Sequence, residues 1–245
     1  TYTLDASQPD GHFTGTITIS TESVNQLATG GRLAFRAGTR PDDRREFQGV
    51  VQLVRPTGMS VISDIDDTIK VTEVRDKKKL INNTFFQPFR AVDGMAATYR
   101  EWADSGAQFH FVSSSPWQLY EPLSQFMRDA GFPEATFHLK RFRIKDGSFL
   151  KLFADPLKTK EQVIAPILEA YPKRHFVLVG DSGEKDPEVY GVMARKYPQQ
   201  IQRVYIRDVT GESADATRYR DAFKDVPAEK WRVFDDPQTL TLPQR

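Results

Sequence analysis

The sequence predicts an α/β protein: a parallel sheet with helices on both faces, preceded by a small antiparallel β unit. Three observations predict it. Four short apolar runs, at residues 61–63, 109–112, 176–179 and 203–206, alternate with segments of helical period. Strands that alternate with helices pair in parallel and are covered on both sides. Upstream of Arg55, Pro56, Thr57 and Gly58 the period changes to the two-residue alternation of half-buried strands.

In chain order, residues 15–20, 32–36 and 49–54 read as strands of the β unit. Asp10 with Gly11, Gly30 with Gly31, and Pro41 with Asp42 and Asp43 supply turns. The junction places a small unit at residues 1–57 and a larger α/β domain at residues 58–245. A unit shorter than ~70 residues has a thin core by itself, so it is expected to pack on the larger domain or to lack partner strands upstream of Thr1. In the larger domain the helical segments fall near residues 95–103, 119–130, 161–170 and 187–196, and residues 136–139 are strand-like.

The chain has 245 residues, 39% hydrophobic and 27% charged, with a formal net charge of +1. This is globular composition, too apolar and too nearly neutral for disorder. No run approaches the ~20 apolar residues of a membrane span. The charge balance argues against bulk attraction to nucleic acid, and none is expected as a partner. The absence of cysteine excludes disulfides, thiolate nucleophiles and Cys-based zinc sites.

The strand endings carry the chemistry, because ligands of open α/β sheets bind beyond the carboxyl ends of the strands. One end holds Asp64, Ile65, Asp66, Asp67 and Thr68; the next holds Ser113, Ser114 and Ser115; the third holds Gly180 and Asp181, followed by Asp186. Lys158 and Lys160 precede a helical segment between the second and third. Phosphoryl transfer through an aspartyl phosphate needs this inventory. One carboxylate attacks phosphorus. A second carboxyl protonates the leaving alkoxide and then deprotonates water. Like charge from the first is expected to raise the pKa of the second. Carboxylates from two strand ends suit Mg²⁺, while an ammonium and a hydroxyl hold the phosphoryl oxygens.

The stretch Ser63, Asp64, Ile65, Asp66, Asp67, Thr68, Ile69, Lys70 resembles the first motif of the haloacid dehalogenase superfamily. More closely, the chain resembles the phosphatidate phosphatase catalytic-domain family of the actin-patch-protein type, with lipins as more distant relatives. Residues 109–120 and 176–190 carry the rest of the likeness, which runs from about residue 58 to 206 and more loosely to 236. The resemblance implies a haloacid dehalogenase-like sheet, with Asp64 as nucleophile and Asp66 as general acid/base. It implies Mg²⁺ on Asp64, the backbone carbonyl of Asp66, and Asp181, with Ser113 binding the phosphoryl group. For the lysine, Lys160 is preferred to Lys158, because Ile164 and Ile167 follow it at i+4 and i+7 on the buried-facing register. Asp186 is expected to bind Mg²⁺ through water or to brace the lysine. Thr68 is placed in a supporting position, and Ser114 and Trp117 on the substrate.

Other readings compete at several positions. The Asp-rich stretch lacks the glycine and glutamate of an EF-hand loop. Gly180, Asp181, Ser182 and Gly183 imitate a serine-protease nucleophile stretch, but leave a parallel strand and have no histidine partner. Histidines 12, 110, 138 and 175 read as structural. The three serines would also suit a cap for a helix starting at Pro116. Glu184 and Lys185 read as a solvated loop, and residues 75–79 as a solvated basic face. Residues 140–145, basic and followed by Phe149 and Phe153, read as solvated or as a surface for anionic lipid. Trp117 either packs in the core or sits at the mouth of the site.

Neither gap between motifs holds a domain-sized cap, so no large cap is expected and the site is open. Three functions remain: a Mg²⁺-dependent phosphatase acting on phosphatidate, the same chemistry on soluble or macromolecular phosphomonoesters, and a non-catalytic binding module. The first is favoured through the resemblance, with a lipid phosphate and an anionic membrane surface as partners. The chain begins at Thr1 without a charged-then-apolar leader, and the β unit resembles secreted bacterial relatives. A secreted or periplasmic location, peripheral to a membrane, is expected over a cytoplasmic one.

Overall fold

A computed structural model describes residues 1–8, 13–39, 42–140 and 156–243. The chain divides into two compact units, Thr1–Arg55 and Pro56–Arg245.

The first unit holds helix α1 (Thr21–Leu27) and strands β1 (Arg32–Ala37) and β2 (Phe47–Gln52), paired antiparallel from Arg32 opposite Gln52 to Ala37 opposite Phe47. The strand expected at residues 15–20 does not form. That segment has no partner strand among the described residues and runs into α1, where the Ser20 side chain accepts the Ser23 N–H as N-cap. Alternation marks a strand only where another strand completes its hydrogen bonds. None of the described residues of this unit is buried.

The second unit is built on a six-stranded, all-parallel sheet in the order β5-β4-β3-β6-β7-β8. Its strands are β3 (Thr57–Asp64), β4 (Gln108–Pro116), β5 (Ala135–Lys140), β6 (Lys173–Asp181), β7 (Ile201–Arg207) and β8 (Trp231–Phe234). Between β3 and β4 lie α2 (Lys77–Phe85) and α3 (Met95–Asp104). A 3₁₀ turn (Trp117–Leu119) and α4 (Tyr120–Asp129) follow β4. Then come α5 (Pro156–Ala170), α6 (Asp186–Lys196) and α7 (Thr217–Ala222). The fold is the parallel α/β sheet expected, and a two-stranded antiparallel sheet precedes it in the sequence.

Strand pleating divides the core. Met59 and Val61 of β3 pack with Tyr99 and Trp102 of α3 and Leu123 and Met127 of α4. Ile62 faces the opposite layer with Ile164 and Leu168 of α5 and Tyr190 and Met193 of α6. Residues 60 and 110 carry polar groups inside the sheet: Arg174 Nε donates to Ser60 Oγ at 3.0 Å, and His110 Nε2 lies 3.3 Å from the same oxygen. His110 Nδ1 lies 2.8 Å from Thr136 Oγ1, which is 3.0 Å from His138 Nε2. Four protons suffice to satisfy this chain in one direction, from Arg174 through Ser60, His110 and Thr136 to His138. Histidines 110, 138 and 175 lie in β4, β5 and β6; His12 lies outside the described residues.

β3 is the central strand, and its neighbours β4 and β6 register against it from Ser60 opposite Gln108 and Thr57 opposite Lys173. The carboxyl ends of these three strands therefore meet at one edge of the sheet.

Candidate active site

Asp64 ends β3, and its position is fixed from behind. Tyr99 Oη of α3 donates to Ser63 Oγ at 2.8 Å, and Ser63 Oγ donates to the Asp64 carbonyl at 2.7 Å. The Asp64 carboxylate is buried. Thr68 Oγ1 donates to its Oδ2 at 3.2 Å, and Lys160 Nζ lies 2.8 Å from its Oδ1. Lys160 projects from the first turns of α5, with Ile164 and Ile167 buried below it. The side chain of Lys158 lies outside the described residues.

The same ammonium contacts Asp186 Oδ1 and, at 3.2 Å, Glu184 Oε2. Asp186 starts α6 and turns its Oδ2 to the Asp181 N–H at 3.2 Å. This approach needs Gly180: a Cβ there would meet Asp186 Oδ2 at 2.3 Å. Asp186 thus braces the lysine. Asp181, at the end of β6, uses Oδ1 to accept the N–H of Gly183 at 2.6 Å and of Glu184 at 3.2 Å. Its Oδ2 is buried with no hydrogen-bond partner. Glu184, expected to be solvated, is instead drawn to Lys160, because the turn after Asp181 folds back over the site; Lys185 does pair outward, with Glu188.

One ammonium here faces four carboxylates. Burial pushes Asp64 and Asp181 well above the ordinary carboxylate range, against the pull of Lys160, and raises Glu184 as well. Burial opposes the charge of Lys160, yet Asp186, Asp64 and Glu184 hold it well above its usual value. Oxygens of Asp64, Asp181 and Asp186 lie within 4.8 Å of one another. Hard oxygen donors, an unpartnered buried carboxylate oxygen and an excess of negative charge fit a divalent cation.

A second cluster surrounds Asp66. Lys70 Nζ lies 2.8 Å from Asp66 Oδ1, and Thr72 Oγ1 donates to the same oxygen at 2.8 Å. Oδ2 accepts Ser113 Oγ at 3.0 Å and Ser115 Oγ at 3.2 Å. The intervening loop is turned by Asp67, at φ +53°, whose carboxylate accepts the N–H groups of Thr72, Glu73 and Val74 at 2.7–2.8 Å. Burial would raise Asp66, but the Lys70 charge and the hydrogen bonds from Lys70, Thr72 and Ser113 outweigh it and hold the carboxyl below its usual range. The expectation that like charge raises Asp66 therefore fails: Asp64 has Lys160 beside it, and Asp66 has a lysine of its own.

The serines do not cap a helix. β4 continues to Pro116, the 3₁₀ turn starts at Trp117, and Ser113 Oγ accepts the Ser115 N–H at 2.9 Å while serving Asp66. Ser114 is half-buried, and no hydrogen bond of its hydroxyl occurs among the described residues. Trp117 is 37% exposed and packs on Tyr120, with ring centroids 5.6 Å apart, so it is not in the core. Lys70, Thr72, Ser115 and Glu184 are site residues that motif reading passes over. A lysine four residues after Asp66 was the one available signal, and it becomes meaningful only once the Asp67 turn brings it back.

Residues 59–208 match the family described as Phosphatidate phosphatase APP1, catalytic domain. The chain belongs to that family. It is 38% identical over 167 residues to Phosphatidate phosphatase APP1 of Saccharomyces cerevisiae, covering 66% of this chain and 28% of that protein. It is 31% identical over 172 residues to the uncharacterized protein C29B5.04c of Schizosaccharomyces pombe, covering 69% of this chain and again 28% of the relative. The chain thus spans just over a quarter of the length of these curated relatives. Looser likenesses among solved structures include a class C acid phosphatase from Bacillus anthracis with tungstate bound (12% identity, TM-score 0.39, 74% of this chain and 67% of that one). Another is a putative beta-phosphoglucomutase from Thermotoga maritima (12% identity, TM-score 0.42, 74% of this chain and 95% of that one).

Proposed function

We propose that this domain hydrolyses phosphatidate to diacylglycerol and inorganic phosphate through an aspartyl phosphate on Asp64, with Mg²⁺ as cofactor. Membership of the APP1 catalytic-domain family supports the substrate. The observation that carries the chemistry is the pair Asp64 and Asp66: two carboxylates two residues apart, each with its own lysine, one beside the acidic cluster and one beside the serines.

Asp64, with the Asp66 carbonyl, and Asp181 would hold the cation, whose charge would offset the carboxylates and the phosphoryl oxygens. Ser113 binds the phosphoryl group, and Lys160 neutralises it as Asp64 attacks phosphorus. The P–O bond to glycerol breaks, and the leaving oxygen takes a proton from Asp66. Water then attacks the aspartyl phosphate and gives its proton to Asp66, which restores the Asp64 carboxylate and releases phosphate. Asp66 is held ionised in the free protein, so its first proton arrives with the substrate. An incoming phosphate monoanion draws the hydroxyls of Ser113 and Ser115 off Oδ2 and adds negative charge beside it. Both changes favour proton uptake.

The test is phosphate release from phosphatidate in detergent micelles, with Mg²⁺ and with chelator, for the parent and Asp64→Asn. The variant should lose several orders of magnitude, roughly the whole contribution of the nucleophile. Acid quench during turnover should trap label from the phosphate on the parent protein only. Full turnover by the variant or in chelator would overturn the mechanism. Faster turnover of water-soluble esters than of phosphatidate would move the substrate to the soluble class.

A further inference from the structure

α2 breaks the usual rule for a surface helix. At about 100° per residue, Leu80, Asn83 and Thr84 share its inward side and are only partly exposed, whereas Lys78, Ile81 and Asn82 face out. Ile81 is 51% exposed, and Phe86, which follows the helix as its C-cap, is 74% exposed. A helix that needs one apolar stripe for its own fold has instead placed an isoleucine on the solvent side, with Lys78 one turn before it and the exposed Phe86 after it. Lys78 makes no ion pair among the described residues; Lys79 is paired with Glu73. A second exposed apolar group, Trp117 at 37% and Tyr120 at 44%, stands at the end of β4.

Both groups are wired to the same carboxylate. Asp76 caps α2 by accepting the N–H groups of Lys78 and Lys79, and Asn83 Nδ2 donates to the carbonyl of Thr72 at 3.1 Å. Thr72 Oγ1 in turn touches Asp66 Oδ1. On the other side Ser115, two residues before Trp117, touches Asp66 Oδ2. Short, hydrogen-bonded arms thus tie the segments that carry both exposed groups to Asp66.

We propose that α2, Phe86 and the Trp117–Tyr120 turn form the face that this domain lays on an anionic bilayer, so that a headgroup enters beside Asp66 without the lipid leaving the membrane. This rests on the phosphatidate reading and names the surface that reading needs. The occupant follows from the chemistry of the face. Exposed indole and phenol rings suit the headgroup level. Unpaired lysine charge beside apolar side chains suits anionic lipid. Among the described residues no helix is long and apolar enough to cross a membrane, so α2 would lie in the interface and not span it. Of the basic, aromatic stretch at residues 140–153, only Lys140, the last residue of β5, lies within the described residues.

The test is cosedimentation with vesicles of phosphatidylcholine, alone or mixed with phosphatidylserine, which is anionic but not a phosphomonoester. The parent should prefer the mixed vesicles and release them as salt rises. Ile81→Ser with Phe86→Ser should weaken binding about tenfold or more. Lys78→Glu, which changes one exposed charge and no packing, should weaken it on anionic vesicles only, and serves should the double variant lose its thermal unfolding transition. Hydrolysis of phosphatidate should fall further in vesicles than in detergent micelles for both variants. Parent-like binding by both variants, or equal binding of neutral and anionic vesicles, overturns the docking face. Hydrolysis of micellar phosphatidate in that case leaves the substrate reading standing. Variant-sensitive binding to anionic vesicles without hydrolysis of phosphatidate in either form keeps the face and overturns the substrate instead.

Discussion

Lys160 Nζ lies 2.8 Å from Asp64 Oδ1, and both groups are buried. The same ammonium serves Asp186 and Glu184, so it is the sole described cation set among these acids. Its removal strands several carboxylates in the interior.

Lys160→Met should therefore cost about 3–5 kcal/mol of stability, the range for breaking a buried ion pair from one side, and should abolish turnover. Asp64 and Glu184, left behind, sit above their ordinary range and bind protons in the fold. Stability of the variant should then rise as pH falls toward those raised values, relative to the parent. Urea unfolding at neutral pH and about two units lower checks both signs. A variant as stable as the parent at neutral pH would show that Lys160 does not balance these charges.

Lys70 is the first of the groups that overcome burial at Asp66. Lys70→Met should raise Asp66 and move the limb of the pH–kcat profile that reports its ionisation upward by about a unit or more. Asp66→Asn should remove that limb, with less loss for esters whose leaving groups need no proton. An unmoved profile in Lys70→Met would separate the lysine from the acid/base role.

The unpartnered Oδ2 of Asp181 gives a readout that needs no turnover. Mg²⁺ should raise the melting temperature of the parent by several degrees at concentrations well above its Kd, since a ligand bound only by the folded state stabilises it. Asp181→Asn should erase that gain. A metal-induced shift of equal size in the variant would place the cation elsewhere.

Acid should also act on the polar chain inside the sheet. Burial, with the charges of His138 and Arg174, lowers His110 from 6.5 to about 3. The unfolded chain takes up this proton first, so the contribution of His110 to stability is intact above pH 6.5 and is lost as pH falls toward 3. The slope for one such group is about 1.4 kcal/mol per pH unit. His110→Gln should flatten the acid side of the unfolding curve, whatever it costs at neutral pH. An unchanged slope would show that His110 is not the group being titrated.

These relationships were unequally legible in the sequence. Strands β3, β4, β6 and β7 announce themselves as apolar runs, and the polar residues after them locate Asp64, Ser113 and Asp181 at one edge. Residues 15–20 alternate as well as any true strand, but alternation is silent about whether a partner exists. β8 and α7 are short and carry arginines in their few residues, so neither shows a clear period. The setting of Asp66 was hidden for another reason. It depends on a left-handed backbone at Asp67, a conformation rare outside glycine, and on the contacts that turn creates. Asp66 was readable as a residue but not as an ionised one.

The sheet order has a consequence for the chain as it is made. β3 pairs with β4 on one side, but its other neighbour, β6, lies at Lys173–Asp181, more than a hundred residues downstream. Until that stretch leaves the ribosome, β3, buried from Met59 to Asp64 in the finished fold, has a bare edge, the kind of surface on which unfinished chains associate. Asp64 also waits, because Asp181 arrives only with the same segment and Lys160 only with α5 just before it. A fragment that stops short of β6 is therefore both sticky and inert, and the domain acquires its chemistry in the step that closes its own exposed edge.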